Sequence, residues 1–125
     1  MKKFIIIFTI VLIITGCNNK EDIQTIMSYG EYKQISVNNV KTLIIKKYTE
    51  AGMNQEKITN KKDIKLKYNY LNSYRIGKET DLACQDDSVI YQFTLNTKTI
   101  SIEIECGNIV LNNKRYELIK NKKAN

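Results

Sequence analysis

Residues 89–106, VIYQFTLNTKTISIEIEC, decide the fold because apolar and polar side chains alternate along both halves of this stretch. An alternation of this kind predicts strands that bury one face and leave the other in solvent. The polar segment 96–98 separates the two halves and predicts a hairpin connection. We therefore expect two antiparallel strands, with Cys106 on an apolar strand face and opposite a residue close to Val89.

The segment that follows continues this pattern towards the C-terminus. Ile109 and Leu111 lead into Asn112-Asn113, a pair that tolerates the positive φ that tight hairpin turns require. Leu118 lies in the returning strand. Residues 89–118 therefore predict a C-terminal antiparallel meander.

A helix is predicted at residues 61–73, where Thr59 or Asn60 can cap the N-terminus and Asp63 favours the positive end of the helix dipole. Its apolar stripe consists of Ile64, Tyr68 and Leu71, and the side expected to face solvent carries Lys61, Lys62, Lys65 and Lys67. Tyr68, Tyr70 and Tyr74 among these lysines could form an aromatic and basic binding face. We favour the alternative, a core stripe with a solvated back.

Residues 37–49 are ambiguous, because their apolar spacing allows a helix while their many β-branched side chains favour a strand. We prefer a strand, with a turn near Gly52. Together, these segments predict an α+β domain in which a mainly antiparallel sheet packs against one principal α-helix.

The chain begins with an export signal. Lys2 and Lys3 precede the apolar run 4–14, which at about 1.5 Å per residue is too short to cross a bilayer as a helix. A basic start, a short apolar middle and small residues at the exit are typical of a cleaved signal peptide, so this segment is excluded from fold reasoning.

The end of this run, Ile14-Thr15-Gly16-Cys17, resembles the lipobox of bacterial lipoproteins. The resemblance implies that the Cys17 thiol receives a diacylglycerol, with palmitate among its acyl chains, and that a peptidase cuts before Cys17. Such a chain would be anchored to membrane lipid through Cys17 on the extracytoplasmic side of the cell membrane. An ordinary signal peptide or an uncleaved anchor remains the alternative.

Four segments follow from these features: a signal peptide at residues 1–16, a lipidated tether at 17–22, a small α+β domain at 23–120 and a frayed basic tail at 121–125. Their order resembles small lipoproteins of low-G+C Gram-positive bacteria. The resemblance implies no particular activity.

Cys84 and Cys106 are the two thiols left once Cys17 is modified, and an exported compartment permits their oxidation. A disulfide between them would require Cα atoms within about 7 Å of each other. Two free thiols are the alternative. A metal site is not predicted, because the chain has no histidine and two sulfurs do not complete a tetrahedral site.

We predict no catalytic residue, no metal and no cofactor, and therefore not an enzyme. The absence of histidine removes the usual general base and the common nucleophile pairs. Carboxylates remain, but we expect them to be solvated, with ordinary acidity; they are Asp81, Asp86, Asp87, Glu103 and Glu105.

The formal charge of +7 falls to +5 when Lys2 and Lys3 leave with the signal. A basic tethered domain is attracted to anionic lipids or wall polymers, although the charge also serves solubility. Nucleic acid is not expected as a partner, since Arg75 and Arg115 are the only arginines available to read bases.

These observations predict a membrane-anchored, extracytoplasmic lipoprotein that acts as a non-catalytic binding or protective module at the cell envelope. Its ligand would be a peptide, an envelope protein or an anionic wall polymer. The alternative is an accessory or structural subunit of an envelope complex such as a transporter or a secretion machine.

Overall fold

The computed structural model describes residues 24–81 and 87–120. The predicted signal peptide, the tether with the lipidation site Cys17, the basic tail, and Cys84 and Asp86 lie outside the described residues.

Seven strands and one α-helix form the regular structure of the described residues. The strands are β1 (Thr42–Thr49), β2 (Gly52–Ile58), β3 (Tyr74–Thr80), β4 (Ser88–Thr94), β5 (Thr99–Glu105), β6 (Asn108–Leu111) and β7 (Lys114–Lys120). They form one antiparallel sheet in the order β2-β1-β4-β5-β6-β7-β3. The predicted C-terminal meander is confirmed as β4 to β7.

The predicted hairpin between β4 and β5 is present, with Val89 opposite Ile104, so Cys106 lies two residues beyond the Val89 pair and next to Asp87. The backbone N–H of Cys106 donates to the carbonyl of Asp87 at 3.0 Å. Cys106 is nevertheless not on an apolar strand face, because β5 ends one residue earlier and Cys106 is exposed at positive φ (46°). Gly107, at φ 83°, continues the turn into β6, since glycine adopts this conformation without steric cost.

The turn predicted at Asn112-Asn113 is confirmed between β6 and β7. Both residues have positive φ, 52° and 67°. This backbone matches the twist of the flanking strands, and asparagine tolerates it better than most residues.

The preference for a strand within residues 37–49 is confirmed for β1, whereas Val37–Asn39 forms a 3-10 turn. Strands β2 and β3 were not predicted. Both lie at the edges of the sheet, and in β2 only Ile58 is buried. An edge strand of this kind has no apolar alternation that a sequence pattern could reveal.

The helix α1 spans Lys61–Asn72. Asn60 is the cap, and its Oδ1 accepts hydrogen bonds from the backbone N–H groups of Lys62 at 2.7 Å and Asp63 at 3.3 Å. Lys61 differs from the expectation of a purely solvated side chain. Its ammonium donates to the Val40 carbonyl at 2.8 Å and the Val37 carbonyl at 3.1 Å, which joins the helix start to the turn before β1.

The core lies between one face of the sheet and a layer made by α1 and the 3-10 turns Ile26–Ser28, Gly30–Gln34 and Val37–Asn39. Ile26, Leu71 and Phe93 are completely buried there. The described residues therefore form the predicted α+β fold in its broad outline.

Candidate functional site: the groove between α1 and β2

A groove of about 570 Å³ lies between α1 and the part of the sheet that ends at β2. We call it the helix–β2 groove, and its lining residues are Lys47, Glu56, Ile58, Asp63, Leu66, Lys67, Tyr70 and Tyr91. A smaller cavity of about 150 Å³ shares Lys47 and Glu56 with it and continues along β2 towards Asn54.

The helix contributes one side of this groove. Asp63, Leu66, Lys67 and Tyr70 follow the spacing i, i+3, i+4, i+7, so they share one side of α1, away from the buried stripe that contains Ile64. Leu66 is 60% exposed and Tyr70 is 47% exposed. The helix therefore presents apolar surface to solvent where it faces the groove.

The sheet supplies an apolar floor through Ile58 and Tyr91, which are both buried. Burial is the main reason that the pKa of Tyr91 is raised, and nearby Tyr74 raises it further. Its hydroxyl therefore stays protonated at neutral pH. The floor presents no charge of its own to a ligand.

Tyr70 belongs to an aromatic cluster at the helix end of the groove. Its ring meets that of Tyr74 edge-on, with centroids 5.5 Å apart, and the Lys120 ammonium lies 5.1 Å from the Tyr74 ring centroid. A hydrogen bond with Tyr74 is the main cause that raises the pKa of Tyr70 to about 12, followed by burial. The interpretation as a core stripe is thus right for Tyr68 and Tyr74, which pack against the core, and wrong for Tyr70, which is exposed.

The charges that line the groove are balanced, since Lys47 and Lys67 are matched by two acidic side chains. Beyond the lining, Lys57 lies on the exposed part of β2, and Lys62 lies one helical turn before Leu66. Lys62 therefore adds a positive charge beside the groove, whereas Lys57 adds one on the outer sheet face next to the same strand.

The acidic residues considered in the sequence do not gather in the helix–β2 groove. Asp81 and Asp87 are exposed, whereas Glu103 and Glu105 lie together on β5. Glu105 Oε1 accepts a hydrogen bond from Arg115 Nε at 2.7 Å. Burial and then the hydrogen bond to Glu105 raise the pKa of Glu103, while Arg115 lowers it, so the expectation of ordinary acidity is wrong for Glu103.

We expect Glu103→Gln to raise the melting temperature at pH 7 and to leave it unchanged well below pH 4.5, the ordinary pKa of this carboxyl group. Because the pKa of Glu103 is raised in the folded protein, the contribution of Glu103 to stability is greatest below that ordinary value and is lost as pH rises through the raised pKa. Glutamine stays neutral and removes this loss. Melting curves across pH 3 to 8 would test it, with the exposed Glu79→Gln as a control, and a wild-type pH profile in Glu103→Gln would contradict it.

A second cavity of about 570 Å³ lies where the chain enters the sheet, between the first 3-10 turns and the end of β6. The rings of Tyr29 and Tyr32 are 6.2 Å apart there, and burial is the main cause that raises the pKa of Tyr32 to about 12. Tyr32 is part of the core. This cavity offers less exposed apolar surface than the helix–β2 groove.

Within residues 24–81 and 87–120, no three histidine, cysteine, aspartate or glutamate side chains are grouped so that they could hold a metal ion. No helix in this part of the chain is long and apolar enough to span a membrane.

Residues 1–18 match the family model described as the prokaryotic membrane lipoprotein lipid attachment site. The match includes Ile14-Thr15-Gly16-Cys17, so the chain carries a lipoprotein signal peptide and associates with a membrane through lipid. No curated protein and no solved structure matches the chain. The expected similarity to lipoproteins of low-G+C Gram-positive bacteria therefore has no support from a relative and stays a prediction.

The sequence reasoning missed Leu66 and Tyr91 as members of a site. The available signal was Leu66 itself, because a leucine among Lys62, Lys65 and Lys67 does not fit a purely solvated helix face. Tyr91 gave no signal, since its position in the strand alternation is that of an ordinary core residue.

Proposed function

We propose that this protein is a non-catalytic binding module that its lipid holds on the outer face of the cell membrane, and that it binds its ligand in the helix–β2 groove. The observation that carries the proposal is the pair Leu66 and Tyr70, both exposed above the buried floor at Tyr91. Ligand sites are typically concave and largely apolar, with a few polar groups, and this groove has the usual size.

A binding role is preferred to catalysis because of the chemistry of the side chains. The chain has no histidine to act as a general base at neutral pH. Glu103, a carboxyl group with a raised pKa, does not line the groove. The groove therefore combines apolar anchors with balanced charges, a composition suited to holding a segment of a peptide or protein.

A role as an accessory subunit of an envelope complex is the second candidate, and a separate surface favours it. Tyr48 and Met53 are paired across β1 and β2 on the sheet face opposite the core, and they are 39% and 49% exposed. A permanent partner protein would cover this pair, whereas a ligand that arrives from outside would occupy the helix–β2 groove.

Photo-crosslinking from the full-length lipidated protein separates these roles. A photoreactive amino acid replaces Tyr70 in one form and Tyr48 in another. We expect an adduct from position 70 that depends on externally supplied envelope extract. A stoichiometric adduct from position 48 in isolated membranes, with none from position 70, would instead indicate the accessory subunit.

Leu66→Ser in the form labelled at position 70 is expected to lower the adduct yield at limiting ligand about tenfold, which corresponds to the loss of roughly 1.4 kcal/mol of binding free energy. Because Leu66 is largely exposed, its replacement should change folding stability by less than about 0.5 kcal/mol. Met53→Ser is the matched control on the opposite sheet face. Equal yields from Leu66→Ser and wild type would contradict the assignment of the groove.

A further inference from the structure

We infer that the ligand in the helix–β2 groove is an extended, acidic segment of another envelope polypeptide, which adds to the sheet as a further strand along β2. This inference rests on the proposed function and deepens it, because it specifies the class of ligand and how the backbone of that ligand is bound.

The hairpin between β1 and β2 fixes which backbone groups of β2 point outwards. Thr49 pairs with Gly52 across a two-residue turn. A turn of this length makes the closing pair exchange both of its hydrogen bonds, and hydrogen-bonded pairs then alternate with non-hydrogen-bonded pairs along the ladder. Met53, Gln55 and Lys57 therefore direct their N–H and C=O groups away from β1.

These outward groups are unpaired within the described part of the protein. Strand β2 is at the end of the sheet order, and no backbone hydrogen bond from another described segment reaches it. Six of its seven residues are exposed. Unpaired edge strands are the surfaces on which an extended peptide adds to a sheet.

At the opposite edge of the sheet, part of strand β3 is covered by another segment of the chain. Thr25 forms a bridge with Arg75, and the Gln24 carbonyl accepts a hydrogen bond from the Ile76 N–H at 2.9 Å. The chain itself therefore covers the first part of β3. The fold blocks one edge with its own N-terminal segment and leaves the edge beside the helix–β2 groove open.

The side chains of an added strand would alternate between the groove and the outer sheet face. Glu56 and Ile58 point from β2 into the groove, so alternate side chains of the added strand would lie next to them and face Leu66 and Tyr70. The remaining side chains would lie on the other face, beside Lys57. One segment of about five to seven residues would then satisfy the open backbone and cover the exposed helix surface.

Charge favours an acidic partner over a second copy of this chain. The mature protein carries a formal charge of +5, since two of the lysines behind its total of +7 belong to the signal peptide. Two such domains repel each other. Lys62 beside the groove and Lys57 on the outer sheet face attract acidic side chains of the added strand, and this attraction supplies specificity in addition to the backbone hydrogen bonds.

The first test uses amide hydrogen exchange on the lipidated protein in nanodiscs. The probe is an acetylated seven-residue peptide of alternating glutamate and valine, and its control has lysine in place of glutamate. Without peptide, the N–H groups of Met53, Gln55 and Lys57 should exchange fast. We expect the acidic peptide to slow their exchange at least tenfold and the lysine peptide to have no effect.

The second test removes one outward donor. Gln55→Pro lacks the N–H that an added strand would use, and an edge position tolerates proline because that N–H is not part of the β1–β2 ladder. We expect it to weaken binding of the acidic peptide about tenfold, a loss consistent with one hydrogen bond. Gln55→Ala keeps the donor and should bind within twofold of wild type, which also controls for the loss of the side chain.

The outcomes separate this inference from the proposed function. Protection confined to residues 63–70, or equal binding by Gln55→Pro and wild type, would overturn strand addition while the groove remains the binding site. Slow exchange at the same three amides without peptide, in a protein that sediments as a dimer, would show that a second copy is the occupant. Failure of the acidic peptide to bind would overturn the ligand class, and the adduct from position 70 would still test the groove independently.

Discussion

Cys17→Ser is expected to release the protein from the membrane fraction almost completely. Serine has no thiol for the thioether that attaches a diacylglycerol, and two acyl chains provide nearly all of the membrane affinity at about 0.8 kcal/mol per buried CH₂. The match to a lipid attachment site covers this residue.

Fractionation of cells labelled with a fatty acid measures this effect. The wild-type protein should carry the label and remain with the membranes, whereas Cys17→Ser should carry none and shift to the soluble fraction. Asn18→Ser is the matched control, since it changes the neighbouring residue and keeps the thiol. A Cys17→Ser protein that is processed and membrane-bound like the wild type would contradict the account.

Cys106→Ser is expected to lower the free energy of unfolding by roughly 3 kcal/mol, the value for a disulfide that closes a loop of about 22 residues. The predicted partner is Cys84, which lies outside the described residues, so the bond stays a prediction. The backbone of Cys106 contacts Asp87, and Cys84 is three residues earlier in the chain, within about 11 Å of Asp87 at full extension. The chain therefore allows the approach that a disulfide requires.

Denaturant unfolding with and without a reductant measures the contribution of this bond. Wild type under reducing conditions should resemble Cys106→Ser, and the variant should not respond to reductant. Serine is close to cysteine in size and would adopt the same positive φ. The free-energy cost of this backbone conformation is therefore similar in both proteins. Labelling of both thiols by an alkylating reagent in the untreated folded protein would contradict the disulfide.

The strongest patterns in the sequence predicted the centre of the fold. Strict alternation around residues 89–106 predicted β4 and β5, the asparagine pair predicted the last turn, and the possible cap at Asn60 predicted the start of α1. Each of these features is specified by neighbouring residues. A sequence pattern therefore predicts an element when the residues next to it in the chain determine that element.

The edge strands and the site depend on tertiary contacts instead. Strand β2 has a single buried side chain, so its pairing with β1 comes from the sheet and not from a pattern of its own. The groove forms because Leu66 on α1 and Tyr91 on β4 line the same cavity, and these positions come together only in the folded chain. The end of β5 before Cys106 likewise follows from the turn at Gly107, which the alternation did not reveal.

The raised pKa of Glu103 has the same origin. Alternation correctly put Glu103 and Glu105 on one strand face, but it could not indicate that Arg115 from β7 would bind Glu105 or that burial would raise the pKa of Glu103. The charge state of a side chain depends on its neighbours across the sheet.

The helix–β2 groove can be displayed outside the cell by a lipid-anchored domain only if Cys17 is the first mature residue and carries the lipid. Mass spectrometry of the N-terminal peptide from membranes of intact cells tests this most directly. We expect a chain that begins at Cys17 and carries a diacylglyceryl group on its sulfur. An unmodified Cys17 in a membrane-bound protein, or a mature chain that begins at another residue, would contradict it.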